Sequence, residues 1–219
     1  MDLSAEEQRV LGCLIEKQRT VPDTYPLSLN GLRSACNQTT NRDPIVRYDE
    51  ATIEAALDRL RERHLVRRGV TAGSRVIKYW QLFDEELDLA EAELALLSVL
   101  MVRGPQTVGE LKARTERLHQ FDSLDDVVAT LDRLAGRDEA LVGRLEREPG
   151  RKEPRYAPLL GGSVPSPMPS AGGVPGPLGP SSASPAAPGA ADIDVLRGEL
   201  EALRAEVDDL RGRVDRLGS

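Results

Sequence analysis

The stretch Asp49-Glu50-Ala51-Thr52-Ile53-Glu54-Ala55-Ala56-Leu57-Asp58-Arg59-Leu60-Arg61-Glu62-Arg63-His64-Leu65-Val66-Arg67-Arg68-Gly69-Val70 changes its apolar period part-way along. Ile53, Ala56, Leu57 and Leu60 recur at helical spacing and share one face of a helix that Asp49 caps. From Leu65 the run is β-rich, and Arg75-Val76-Ile77-Lys78-Tyr79 answers it across Thr71-Ala72-Gly73-Ser74, which reads as a hairpin. Upstream, Ser4-Ala5-Glu6-Glu7 is a capping box that starts a helix running to about Gln18. Val10, Leu11, Leu14 and Ile15 recur along it at helical spacing, with Cys13 among them. Ser28 caps a short helix through Cys36.

The same order recurs downstream. Asp88 with Glu91 starts a helix carrying Leu94, Leu97, Val99 and Met101, and Gly104-Pro105 ends it. Thr107-Val108-Gly109-Glu110 is a second capping box, and Ser123 with Asp126 opens a third helix. Leu141-Val142-Gly143-Arg144-Leu145, a turn at Pro149-Gly150 and Arg155-Tyr156-Ala157 form the second hairpin. Both third helices contain Leu-Asp-Arg-Leu, at 57–60 and 131–134. The expected fold is mainly α with small β-hairpins, arranged as two tandem winged-helix domains over residues 1–82 and 83–160. The alternative is two unrelated small α+β pieces.

Several longer strings resemble the YceH family of bacterial proteins. They are Tyr25-Pro26-Leu27-Ser28-Leu29-Asn30, Ala35-Cys36-Asn37-Gln38-Thr39-Thr40-Asn41-Arg42-Asp43-Pro44, Gln106-Thr107-Val108-Gly109-Glu110-Leu111, Arg117-Leu118-His119-Gln120-Phe121 and the run from Pro149 through Arg155-Tyr156-Ala157 to Leu160. The resemblance covers about residues 3–160 and implies tandem winged helices without implying an activity. The chain departs from the family's pattern at Thr39, where Lys is expected, at Val108, where Pro is expected, and at Trp80-Gln81, where a basic residue and His are expected.

Beyond this region the composition shifts. Of the 30 residues in 161–190, 26 are Gly, Pro, Ser or Ala and none is charged. Such a segment has nothing to offset the entropy of ordering, so it reads as a disordered linker. Residues 191–219 read as a coiled-coil helix. Ile193, Leu196, Leu200, Leu203, Val207, Leu210, Val214 and Leu217 form an unbroken heptad seam, with Leu at every d position and mostly β-branched residues at a. That pattern favours a parallel homodimer, and the pairs Asp192–Arg197, Glu199–Arg204 and Glu206–Arg211 are attractive in that register. The alternative is a single amphipathic helix that docks on the chain's own body or on another protein.

Composition limits the function classes. The longest nearly apolar stretch, residues 94–102, is far shorter than the ~20 residues a bilayer span needs. The N-terminus lacks the basic start and apolar run of a secretory signal, and two cysteines make no disulfide framework. A reduced, cytoplasmic setting is expected. The formal net charge of −7 divides unevenly: residues 1–82 carry 13 basic and 11 acidic side chains, net +2; residues 83–160 carry 11 and 17, net −6; residues 161–219 carry 5 and 8, net −3.

Winged helices commonly lay their third helix in the major groove while the wing touches phosphate. Here the third helix of the first half turns Ala51, Ala55, Asp58 and Glu62 outward, with Glu54 and Arg59 at its flanks. With Leu124 and Leu131 inward, that of the second half shows Asp122, Asp125, Asp126, Ala129, Asp132 and Arg133. Carboxylates on both faces oppose phosphate, so a conventional recognition helix is not expected. The candidate nucleic-acid contacts are instead Arg67, Arg68, Arg75 and Lys78 on the first wing, with Arg42 and Arg47 on the preceding loop. The other reading of these arginines is a solvated hairpin edge.

The loop from Asn37 to Tyr48 is long for a helix-turn-helix connection, and it is rich in amides and hydroxyls. Asn37, Gln38, Asn41 and Asp43 are candidate partner contacts there, or else they satisfy the loop's own backbone. In the second half Arg117, His119, Phe121, Arg151, Lys152 and Tyr156 form the matching candidate surface, with a purely structural His119 as the alternative. His64, His119 and the two cysteines lack metal-ligand spacing, and no phosphate-binding glycine loop stands between a strand and a helix. No enzyme activity, metal or cofactor is expected. The two functions that remain are a nucleic-acid-associated or transcription-regulatory protein acting through the first wing and the 37–48 loop, and a protein–protein assembly module.

Overall fold

Ser4, Ser28, Asp49, Thr107 and Ser123 each cap a helix in the computed structural model, which describes residues 1–71, 73, 75–146 and 153–161. The Pro149-Gly150 turn, Arg151, Lys152, nearly all of the 161–190 linker and the whole seam from Ile193 to Leu217 lie outside the described residues. The chain runs α1 (Ala5–Thr20), β1 (Leu27–Ser28), α2 (Leu29–Cys36), α3 (Glu50–Glu62), β2 (Val66–Val70) and β3 (Ile77–Gln81). It continues through α4 (Phe83–Leu87), α5 (Glu91–Arg103), α6 (Val108–Thr115), α7 (Leu124–Ala135), β4 (Val142–Arg144) and β5 (Tyr156–Pro158). The architecture is mainly helical with two small antiparallel sheets, of order β1-β3-β2 and β4-β5.

The reciprocal caps are formed as the residue types require. Ser4 Oγ accepts from the Glu7 amide at 3.2 Å while the Ser4 amide donates to Glu7 at 2.6 Å, and Thr107 with Glu110 and Ser123 with Asp126 repeat the exchange. One start differs from expectation. Asp88 does not open α5: residues Phe83–Leu87 form a helical turn of their own, and Asp88 closes it in the left-handed region at φ 48°. α5 begins at Glu91, where the Ala90 amide donates to the Glu93 carboxylate at 2.9 Å. Leu124 differs too. It is 51% exposed, because the first turn of α7 overhangs the core; Val127, Thr130, Leu131 and Leu134 are the buried set.

α5 is the centre of the fold. Residues 93–102 are all buried, the pattern of a helix surrounded on every side. α1 crosses it closely at Gly12, where an added Cβ would stand 2.8 Å from Val102 Cγ1 and 2.9 Å from Met101 Cβ. At the same crossing the Ser98 hydroxyl donates to the Gly12 carbonyl at 3.1 Å. The first half therefore packs its opening helix against the opening helix of the second. The two ends of the described region close the same body, since the Leu3 amide donates to the Leu160 carbonyl and Asp2 bridges Gly161.

The halves also share a detail absent from the sequence reading. β1, just before α2, pairs antiparallel with β3, matching Leu27 to Tyr79. Gln106, just before α6, makes the corresponding bridge to Tyr156, with backbone hydrogen bonds in both directions at 2.9 and 2.7 Å. Each hairpin is thereby tied back to the helix pair that precedes it.

Candidate functional site

The register of the first hairpin decides which of its cations act together. Arg67 stands opposite Trp80 and Gly69 opposite Lys78, whereas Arg68 stands opposite Tyr79 and Val70 opposite Ile77. Cross-strand partners share a face and successive residues alternate. Arg67, Trp80 and Lys78 therefore lie on the open face, and the Arg67 guanidinium carbon is 4.9 Å from the Trp80 ring centroid, a cation–π distance. Arg68 lies on the other face. Burial pushes the Tyr79 phenol up, and the charges of Arg68, of Glu54 and Asp58 on α3 and of Arg61 act on it in opposing directions. Arg75 and Arg47 are exposed. Near the hairpin's far end Val70, Val76 and Ile77 are 62%, 53% and 40% exposed, an unusual apolar group for a surface strand pair. The outward faces of α3 and α7 are acidic as expected.

The 37–48 loop is built inward. The Asn37 side chain donates to the Tyr48 carbonyl at 2.8 Å and accepts from the Tyr48 amide at 2.7 Å, pinning the loop's two ends together. Arg42, expected as a phosphate contact, is buried instead. Its guanidinium donates to both carboxylate oxygens of Glu16 at 2.8 and 3.0 Å, to the Ala35 and Asn41 carbonyls and to Gln38. A guanidinium so fully engaged presents no donor to a phosphate, so Arg42 leaves the contact set. Asp43 is exposed, and its amide donates to the Val102 carbonyl at 3.0 Å, joining the loop to the end of α5.

Where that loop meets the second half there is a polar cleft of about 260 Å³. The first half supplies Glu16, Lys17 and Thr20 from α1, with Gln38, Thr40 and Asn41 from the loop. The second half supplies Arg103, Arg114 and Arg117. Three of the sequence candidates, Gln38, Asn41 and Arg117, thus meet here. Lys17, Arg103 and Arg114 were not singled out, and the only signal for them is their place at helix C-termini, a common position for basic residues. Burial would raise the Glu16 carboxyl, but Arg42 and Lys17 override it and hold it below the usual carboxylate range. The Arg103 guanidinium donates to the neutral Asn41 side chain. Burial, followed by the charges of Arg114 and Arg42, lowers its proton affinity.

Of the other second-half candidates that are described, Phe121 and Tyr156 are buried and His119 is half-buried. Phe121 and Tyr156 are 6% and 8% exposed, and the His119 ring packs edge-on to Phe121 at 4.7 Å. Cys13 and Cys36, distant in sequence, are both buried free thiols, and the Cys13 thiol together with burial raises the Cys36 thiol. Among the described residues no three His, Cys, Asp or Glu side chains come together as a metal site, and no helix is long and apolar enough to cross a membrane.

The relatives share most of this region. A UPF0502 protein of Opitutus terrae is 53% identical over 163 residues, covering 74% of this chain and 71% of the relative. One from Pelobacter propionicus is 52% identical over 164 residues, covering 75% and 74%. The UPF0502 protein YceH of Salmonella newport is 47% identical over 168 residues, covering 74% and 78%. The family described as a protein of unknown function, DUF480, matches residues 3–151, nearly all of the described body. The chain belongs to this family, alongside the UPF0502 proteins that include YceH.

Proposed function

We propose that each half is a winged helix and that the protein associates with nucleic acid through the open face of its first hairpin. The duplicated order of three helices and a hairpin, with the same strand tie before each second helix, supports the winged-helix reading. One observation carries the nucleic-acid reading: Arg67 over the Trp80 ring, with Lys78 on the same face. An aromatic ring carrying one cation, with a second cation on the same sheet face, offers a stacking surface and phosphate neutralisation at one place. Arg75 and Arg47 extend the contact, and the acidic faces of α3 and α7 stay away from the duplex. The grip is on backbone and sugar rather than on base edges, which suits association or regulation more than strict sequence recognition.

Titration of mixed duplex DNA across a salt series tests this. The logarithm of affinity should fall linearly with the logarithm of salt, and Arg67→Gln and Lys78→Gln should each flatten the slope by about one. An absent or salt-independent response rejects it.

A second reading has its own observation. The exposed Val70, Val76 and Ile77 at the hairpin end, with the acidic α7 face, suit a winged-helix protein that assembles with other proteins. In either case we propose a parallel homodimer through the heptad segment, which rests on the seam from Ile193 to Leu217. Sedimentation equilibrium of the full chain should give a dimer that Leu203→Lys, at the centre of the seam, converts to monomer.

A further inference from the structure

The cleft between the two halves has an electrostatic surplus that the fold does not need. Lys17, Arg103, Arg114 and Arg117 line it and Arg42 stands directly behind, so five cations meet one lining carboxylate, Glu16. That carboxylate is spent: Arg42 takes both its oxygens, and Lys17 reaches one of them at 2.8 Å. The ends of α1, α5 and α6 also face the cleft, and each C-terminus is worth about half a negative charge. Three such ends and Glu16 together offset about half of the five positive charges. Complementing helix ends accounts for one basic residue in each last turn. It does not account for Arg117, which lies past the end of α6 and has no hydrogen-bond or ion-pair partner among the described residues.

The three guanidinium groups come from the second half, while the first half adds Lys17, the engaged Glu16 and the neutral side chains of Gln38, Thr40 and Asn41. Among the described residues Arg103 has only the Asn41 amide oxygen as its side-chain partner. Among the described residues Arg114 has only a 3.6 Å approach to Glu110, a carboxylate that Arg155 also approaches at 3.5 Å. Guanidinium forks match oxyanions in bidentate geometry. Three forks on one cleft suit a group with three acceptor oxygens, a phosphate, better than a carboxylate with two. The volume of about 260 Å³ fits a small molecule.

We propose that this cleft binds a small phosphate-bearing anion, held by Arg103, Arg114 and Arg117 of the second half and by Gln38 and Asn41 of the first. The ligand touches both halves, so its binding stabilises their mutual packing through linkage. The proposal is independent of the hairpin's role, because the residues involved are different.

Calorimetric titration of the full chain with inorganic pyrophosphate at low salt tests it. Saturable binding at one site per chain, with a rise in Tm, is expected. Arg117→Gln should weaken that binding by about tenfold or more, the value of a charge-assisted contact, and Arg114→Gln should do likewise. Because Arg117 has no hydrogen-bond or ion-pair partner among the described residues, Arg117→Gln should keep the unliganded Tm. The hairpin variant Arg75→Gln should bind pyrophosphate as the unaltered protein does. No saturable binding, an unchanged isotherm in Arg117→Gln, or equal loss in Arg75→Gln overturns the proposal. So does a chain that ignores pyrophosphate while Arg117→Gln flattens its salt slope on duplex DNA, since the cleft then serves the nucleic-acid backbone.

Discussion

Taking the Arg42 guanidinium out of water costs several kcal/mol, and the chain offsets that cost by using every donor the side chain has. Its five hydrogen bonds reach Glu16 twice, the Ala35 and Asn41 carbonyls and Gln38. A pair this buried is expensive to break on one side, because the remaining charge is left without compensation. Glu16→Gln is therefore expected to destabilise the protein by about 3 kcal/mol at neutral pH, read by urea unfolding. The pH dependence has a definite sign. Arg42 and Lys17 hold the Glu16 carboxyl below its ordinary value against the effect of burial. Its contribution is thus present in full above the unfolded-state pKa of about 4.3. It is lost as pH falls through the lower folded-state value. The gap between the unaltered protein and Glu16→Gln should close on acidification through that range. A gap that stays constant shows that the Glu16 charge is not what Arg42 needs.

At the scale of elements, the α1–α5 crossing depends on the missing side chain of Gly12. In an exposed helix a Gly-to-Ala change usually adds about 1 kcal/mol of helix propensity. Here the new Cβ would fall 2.8 Å from Val102 and 2.9 Å from Met101, closer than packed carbons tolerate. Gly12→Ala is expected to destabilise by about 1–3 kcal/mol instead, with Val102→Ala restoring part of the loss in the double variant. A gain in stability would mean that α1 and α5 separate freely. This crossing also marks the limit of what the sequence makes legible. Caps are written in four consecutive residues, so Ser4, Ser28, Asp49, Thr107 and Ser123 can be read directly. Asp88 misleads because a helix C-terminus at Leu87 and a start at Glu91 lie too close for residue type to tell apart. Leu124 misleads because periodicity gives a direction but not where the core stops. The cleft is further from reach: Arg103 is an ordinary helix-end cation until the α1–α5 crossing brings Asn41 and Arg117 to it. Arg42 looks like its exposed neighbour Arg47, and only Glu16, 26 residues away, separates their roles.

For the whole described body, the question is whether the two halves behave as separate domains or as one cooperative unit. The repeat suggests a boundary near residue 82, yet α1 packs on α5 and the Leu3 amide reaches Leu160, so each half completes the other's core. A single tryptophan, Trp80, lies in the first hairpin and reports on the first half alone. Leu131, fully buried in α7, belongs to the second half. Leu131→Ala should cost about 2–5 kcal/mol, as large-to-small changes in a packed core do. If the halves share one unfolding transition, that loss appears undiminished in the urea midpoint seen by Trp80 fluorescence, although the substitution is remote from the ring. Far-UV circular dichroism should report the same midpoint shift. If the halves are independent, the Trp80 transition stays where it was and only the dichroism transition broadens. The shared α5 core predicts the first result.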